Sequence, residues 1–210
     1  PWQHKAPGHW ERFRLKSLLY EVDERTETGK QPLFSLTRSK GLVRRSLVTD
    51  RPSSASSLVD YKICRPDDIV MNRMQAWSGM FGLASEIGLV SPDYAVLRLR
   101  EKANSQFLLR WLKSPEPVSY FAALSTGVGD GFNRLYSDEL GTVPISVPPL
   151  PEQRRIARFL DTVTNRTDRL IRAKERLIEL LGEQKQAIIQ QAVTHGLDPD
   201  VEMKDSGVDW

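Results

Sequence analysis

At 210 residues, with 40% hydrophobic and 27% charged residues, the chain has the size and composition of an ordinary globular protein with room for one substantial domain plus an appended element. That composition excludes intrinsic disorder, and a single cysteine, Cys64, excludes a disulfide framework or a multi-cysteine zinc site. A net charge of +3 permits nucleic-acid binding without demanding it; no apolar stretch approaches the roughly 20 residues that span a bilayer, and the opening PWQHKAPGHW lacks the order of a signal peptide, so a cytoplasmic location is expected.

In FRLKSLLYEV, Leu15, Leu18, Leu19 and Val22 recur at helical spacing and predict a short amphipathic helix. From Gln31 to about Arg100 the pattern changes to short apolar runs (PLFSLT, DIVMNRM, YAVLRLR) broken by Gly, Pro and Ser clusters, which predicts a mostly β region with Cys64 at a buried strand end. Within it, residues 38 to 51 gather Arg38, Lys40, Arg44, Arg45 and Arg51 against one acid, Asp50, and read as a basic loop; a solvated loop without a partner is the plain alternative. In YAVLRLR, Ala95, Leu97 and Leu99 alternate with Arg98 and Arg100, the pattern of a half-buried strand.

Residues 104 to 125 carry Phe107, Leu108, Trp111, Leu112, Tyr120, Phe121 and Leu124, and are expected to form two helices broken at SPEP, because proline cannot continue a helix. A glycine-rich loop, STGVGDGFNRL, leads to a last strand in TVPISVPPL, where Val143, Ile145 and Val147 alternate. Mixed elements with most strands early predict an α+β fold.

The C-terminal third differs in kind. From PPLPEQRRIARFLD to about Val193 the chain has no proline beyond its start, one glycine, Gly182, and many good helix formers. Pro151 and Glu152 suit a helix N-terminus. Such a helix is roughly 60 Å long at 1.5 Å per residue. Spacings of four and three from Val163 run through Thr167, Leu170, Lys174, Leu177, Leu181, Gln184 and Ile188, with Ile171 and Ile178 widening one flank. This ladder of period 3.5 predicts a coiled coil paired through Val163, Leu170, Leu177, Leu181 and Ile188; the alternative is a solvated helix laid across one globular core. The expected organisation is a globular domain over 1–149, a long helix over 150–195 and a tail over 196–210.

The run PISVPPLPEQRRIARFLD, followed by a long helix ending in QAVTHGL, resembles the conserved region of Type I restriction-modification specificity subunits, and DIVMNRMQAWSGMFGLASEIGLVSPDYAVLRLR resembles the body of a target-recognition domain of that family. The tail MKDSGVDW joined to the head PWQHKAPGHWERFRLK is similar to the passage where the second recognition half begins, so the chain looks like one repeat of a two-repeat protein. The resemblance is weakest between Glu21 and Tyr61. It implies a non-catalytic subunit without cofactors that reads double-stranded DNA and positions modification subunits, and sometimes a restriction subunit, on a bipartite target. It also implies pairing of the long helix with a second recognition half or with a copy of the chain.

The residues supply the parts such recognition needs. Arg38, Lys40, Arg44 and Arg45 offer cations for phosphates and forks for guanine, Asn72, Arg73, Gln75 and Trp77 lie in and after a strand, and Asn133 and Arg134 follow the glycine-rich loop. Packing is the plain alternative for Trp77, and local backbone bonding for Asn72. No GK[ST] loop, HExxH, GxSxG or paired-cysteine motif is present, and His4, His9 and His195 lie at the two ends of the chain, so no catalytic or metal-ligating residues are expected. The GVGDG stretch reads as a turn rather than a phosphate cradle. Rival readings are a coiled-coil protein-interaction adaptor and a nuclease or methyltransferase fragment.

Overall fold

The computed structural model describes residues 6–49, 55, 57–127, 133–198, 200, 202, 204–205 and 207. Asp50, Arg51, His4 and most of the GVGDG stretch lie outside the described residues. Two compact units divide the chain, Pro1–Arg158 and Phe159–Trp210.

The first unit opens with β1 (Glu11–Arg14), a 3-10 turn (Leu15–Ser17), β2 (Leu19–Val22), β3 (Phe34–Thr37), β4 (Gly41–Arg44) and a second 3-10 turn (Arg45–Leu47). It continues with β5 (Lys62–Cys64), β6 (Ile69–Asn72), a third 3-10 turn (Ala76–Ser78), β7 (Phe81–Leu83), β8 (Gly88–Val90) and β9 (Tyr94–Leu99). Then come α1 (Ser105–Leu112), α2 (Pro115–Leu124), β10 (Thr126–Gly127), β11 (Asn133–Arg134), α3 (Ser137–Thr142) and β12 (Pro144–Val147). The last element, α4 (Leu150–His195), starts in the first unit and forms most of the second. The α+β class is as expected, and so are the two helices after Asn104; Pro115 opens α2 rather than breaking α1.

A four-stranded antiparallel sheet in the order β2-β9-β6-β7 forms the centre. Strand alternation sends Ile69, Met71, Ala95 and Leu97 into a core with α1, α2 and α3. Val70 and Val96 point the other way, into a second core with Phe34, Leu36, Leu42, Cys64 and Val90. The half-buried strand expected at YAVLRLR is therefore covered on both faces, and Ala95, Val96 and Leu97 are all fully buried. Arg98 is no solvent-facing charge either: its Nε and a terminal nitrogen donate to the two oxygens of the buried Asp68 at 2.9 and 2.8 Å.

Two further expectations need correction. FRLKSLLYEV forms no α-helix, because β1 pairs with β12 and β2 with β9, and Leu15 and Leu18 are buried in the turn between them. Four apolar residues fit either period, and the sheet partners decide. The basic segment is not one free loop: residues 38–40 are the turn and 41–44 the second strand of the antiparallel hairpin β3–β4, and Arg45–Leu47 form a 3-10 turn. The hairpin's apolar side lies so close to the neighbouring strands that a Cβ on Gly82 would sit 2.5 Å from Leu36 Cδ1, and one on Gly88 2.0 Å from the Phe34 ring.

Candidate nucleic-acid interface

Three separate segments meet at one end of the four-stranded sheet. The turn from Asn72 to Met80 joins β6 to β7, and Met71 pairs with Phe81 at its base. The tip of the β3–β4 hairpin reaches this turn, where a terminal nitrogen of Arg38 donates to Ser78 Oγ at 3.2 Å. The exit of β11 reaches it as well, since the Leu135 amide donates to the Arg73 carbonyl at 3.0 Å. At this end Arg38, Lys40, Gln75, Trp77 and Asn133 are exposed.

The turn is internally braced. Asn72 Oδ1 accepts from the Met74 amide at 3.1 Å, Asn72 Nδ2 donates to Gln75 Oε1 at 3.2 Å, and Ser78 Oγ donates to the Gln75 carbonyl at 2.9 Å. Trp77 donates its ring N–H to the Met74 carbonyl at 3.0 Å and leaves 44% of its surface exposed. Arg134 pairs with Asp93 at 2.9 Å, in the connection that enters β9, and lies over the Tyr136 ring.

Arg73 belongs to the foundation of this end rather than to its surface. Its guanidinium pairs with Glu21, which also accepts from Ser137 Oγ and, at 3.0 Å, from the Nζ of Lys62, a lysine only 3% exposed. Burial by itself raises the pKa of Glu21, but the hydrogen bonds from Ser137 and Lys62 and the charge of Arg73 outweigh it and hold the carboxyl below its ordinary value.

Arg44 and Arg45 sit at the opposite end of the hairpin from Arg38, since Phe34 pairs with Arg44 and Thr37 with Gly41. Arg44 is gripped by both oxygens of Glu86 at 2.7 and 2.5 Å, and this bond holds the Glu86 carboxyl below its ordinary value. The sequence thus places four cations in one run, and the fold separates them into two pairs. An open recess of about 610 Å³, lined by Arg12, Phe13, Arg14, Ser17, Tyr120, Thr142 and Pro144, shares no residue with this cluster. No group of His, Cys, Asp and Glu among the described residues is placed to hold a metal ion. Burial, with the Asp68 charge adding to it, pushes the Cys64 thiol up to about 11, which leaves it a poor nucleophile.

Gln153 is the residue that sequence reasoning missed at the start of α4. It is buried, donates to the Lys102 and Pro148 carbonyls at 3.0 and 2.9 Å, and accepts from the Asn104 amide at 2.9 Å. Those bonds tie the first turn of α4 to the loop that caps α1, where Asn104 accepts from the Phe107 amide. Ser78 was missed as well, because a serine in a turn carries no pattern. From Thr162 to Gln191 every residue of α4 is exposed, including Val163, Leu170, Leu177, Leu181 and Ile188, and Ile178 leaves 70% of its surface uncovered. No helix among the described residues is long and apolar enough to cross a membrane.

A family model described as the Type I restriction modification DNA specificity domain matches residues 76–180, from the third 3-10 turn through most of α4. No curated protein gives a significant match. Among solved structures, a chain from a study of complex assembly and conformational transition of the type I R-M system is similar at 23% identity, with a TM-score of 0.66, over 92% of this chain and 48% of that one. The HsdS subunit from Thermoanaerobacter tengcongensis is similar at 23% identity and a TM-score of 0.59, over 92% of this chain and 47% of that one. The Type-I restriction-modification system S subunit from M. genitalium is similar at 18% identity and a TM-score of 0.50, over 90% and 47% of the two chains. At these identities the likeness is one of fold, and the chain spans about half the length of the solved chains it matches. With a family match that covers half of its residues, the chain belongs to the Type I restriction modification DNA specificity domain family.

Proposed function

We propose that the first unit reads a few base pairs of double-stranded DNA as one recognition half of a Type I specificity subunit, and that α4 pairs with a second long helix to set the distance to another half. That second helix belongs either to a further repeat or to a copy of this chain. In this reading the chain carries out recognition only, and modification subunits, with a restriction subunit in some systems, supply the chemistry. The observation that carries it is the convergence of Arg38, Lys40, Gln75, Trp77 and Asn133, from three separate segments, at one exposed end of the sheet. A DNA reader needs cations for phosphates and directional donors for base edges on one surface, and this end supplies both. The exposed apolar residues of α4 support the pairing half of the proposal, because a stripe this long calls for a partner helix.

The test is selection from a pool of randomised duplexes by the full chain, alone and assembled with a modification subunit. The expected result is enrichment of a short motif, doubled at a fixed spacing in the assembly. Retention of duplexes with no enriched motif in either arm, or no retention at all, overturns the proposal.

A further inference from the structure

We propose that the braced turn Asn72–Gly79 and the hairpin tip at Arg38 form a donor-only reading edge whose partner is guanine in the major groove; this rests on the DNA-reading function above. A chain of hydrogen bonds with forced polarity leads to it. The Met74 backbone amide can only donate, so the Asn72 atom it meets at 3.1 Å is the side-chain oxygen, and the other atom of that amide is the nitrogen. The nitrogen donates to Gln75 at 3.2 Å, so Gln75 must turn its oxygen inward to Asn72. What Gln75 then has free is its Nε2 amide, which meets no other group among the described residues, while the residue itself is exposed.

Arg38 is aligned with the same turn. Ser78 Oγ donates to the Gln75 carbonyl at 2.9 Å, which leaves its lone pairs to accept one terminal nitrogen of Arg38 at 3.2 Å. The remaining guanidinium N–H groups have no partner among the described residues. Residues 38–40 and 72–79 contain neither Asp nor Glu, so no carboxylate within them competes for these donors.

A surface that only donates needs a base edge that only accepts. Guanine shows O6 and N7 side by side in the major groove, whereas adenine pairs an acceptor with a donor, cytosine shows a donor, and thymine shows one acceptor beside a methyl group. A glutamine free at both ends would suit adenine, but the bond from Asn72 takes one lone pair of the Gln75 oxygen and turns that oxygen toward Asn72, so the side-by-side acceptor and donor that adenine requires are not both presented. Ser78 is a positioning residue here, acting only through Arg38 and the Gln75 backbone.

The experiment repeats the duplex selection, in the assembly, with Arg38→Ala, Gln75→Glu and Ser78→Ala, each also followed by thermal unfolding; Arg38→Lys, which keeps the charge and loses the fork, accompanies Arg38→Ala. The wild-type motif is expected to contain guanine at positions where both Arg38 variants lower the preference by about tenfold or more. Gln75→Glu, which turns outward donors into acceptors, is expected to move one guanine position to cytosine. Ser78→Ala is expected to blur the Arg38 position while leaving the salt dependence of binding unchanged. Adenine at these positions, or a motif unchanged in every variant, overturns the proposal while the DNA-reading function stands. So does a uniform loss of affinity in Arg38→Ala with a shallower salt dependence, because that is the signature of a phosphate contact. Failure of the wild-type assembly to select any motif overturns both.

Discussion

Beneath the proposed DNA-reading end, the carboxylate of Glu21 gathers three other side chains. It joins β2 to Lys62 on β5, to Arg73 at the end of β6 and to Ser137 at the start of α3. Removing its charge leaves Lys62 buried with Asp23, 3.5 Å away, as its one counter-ion among the described residues. Glu21→Gln is expected to cost about 2 kcal/mol, less than the roughly 3 kcal/mol of a fully buried pair because Glu21 keeps some contact with water. Since the folded-state pKa lies below the ordinary 4.5, the stabilisation is complete above that value and is lost as pH falls through the lower folded-state value. Urea unfolding across this range should therefore give wild-type and variant curves separated by a constant gap at neutral pH and converging in acid; a gap that persists below the folded-state pKa would contradict this assignment. The Arg44–Glu86 pair, with both partners about half exposed, should contribute far less to stability than its short distances suggest.

At the scale of elements, the β3–β4 hairpin is held against the central sheet by side chains that need bare backbone opposite them. A Cβ on Gly82 would meet the Leu42 amide nitrogen at 2.7 Å as well as the Leu36 side chain, and a backbone atom cannot swing aside. Gly82→Ala is therefore expected to destabilise the first unit by about 3 kcal/mol in a denaturant titration. Gly182, with nothing within 4 Å in the middle of α4, is the control: alanine there should gain about 0.8 kcal/mol of helix stability. Equal effects at the two positions would mean that the hairpin does not pack as described. The same hairpin explains why the basic segment was legible as charge but not as structure. Its apolar side is only Leu42 and its neighbours, too few residues to show a period, and the strand became definite only through pairing with Phe34–Thr37.

For the molecule as a whole, the prediction with the widest reach concerns α4. Leu170 and Leu177 are one heptad apart and both are largely exposed. If the helix pairs through them, Leu170→Asp combined with Leu177→Asp should abolish association in sedimentation equilibrium at rising concentration. The near-ultraviolet dichroism of the first unit should not change, since neither residue belongs to its core. Association that survives the double substitution would remove those positions from the interface.

The long helix, the two helices after Asn104, the last strand and the α+β class were legible along the chain, because each rests on a local pattern: helix formers in a long run, proline at a first turn, alternation over Val143, Ile145 and Val147. Family membership was legible for the same reason, as motifs in order along the chain. Packing and strand pairing were needed to show that FRLKSLLYEV is strand and turn, that β9 is covered on both faces, that Arg73 points into a part-buried network, and that four cations close in sequence divide between the two ends of a hairpin. The hairpin forms between neighbouring residues, but what holds its tip and the residues beneath it comes from far along the chain: Ser78 lies 40 residues from Arg38 and Ser137 116 residues from Glu21. Local periodicity cannot encode a neighbour that arrives from another part of the chain.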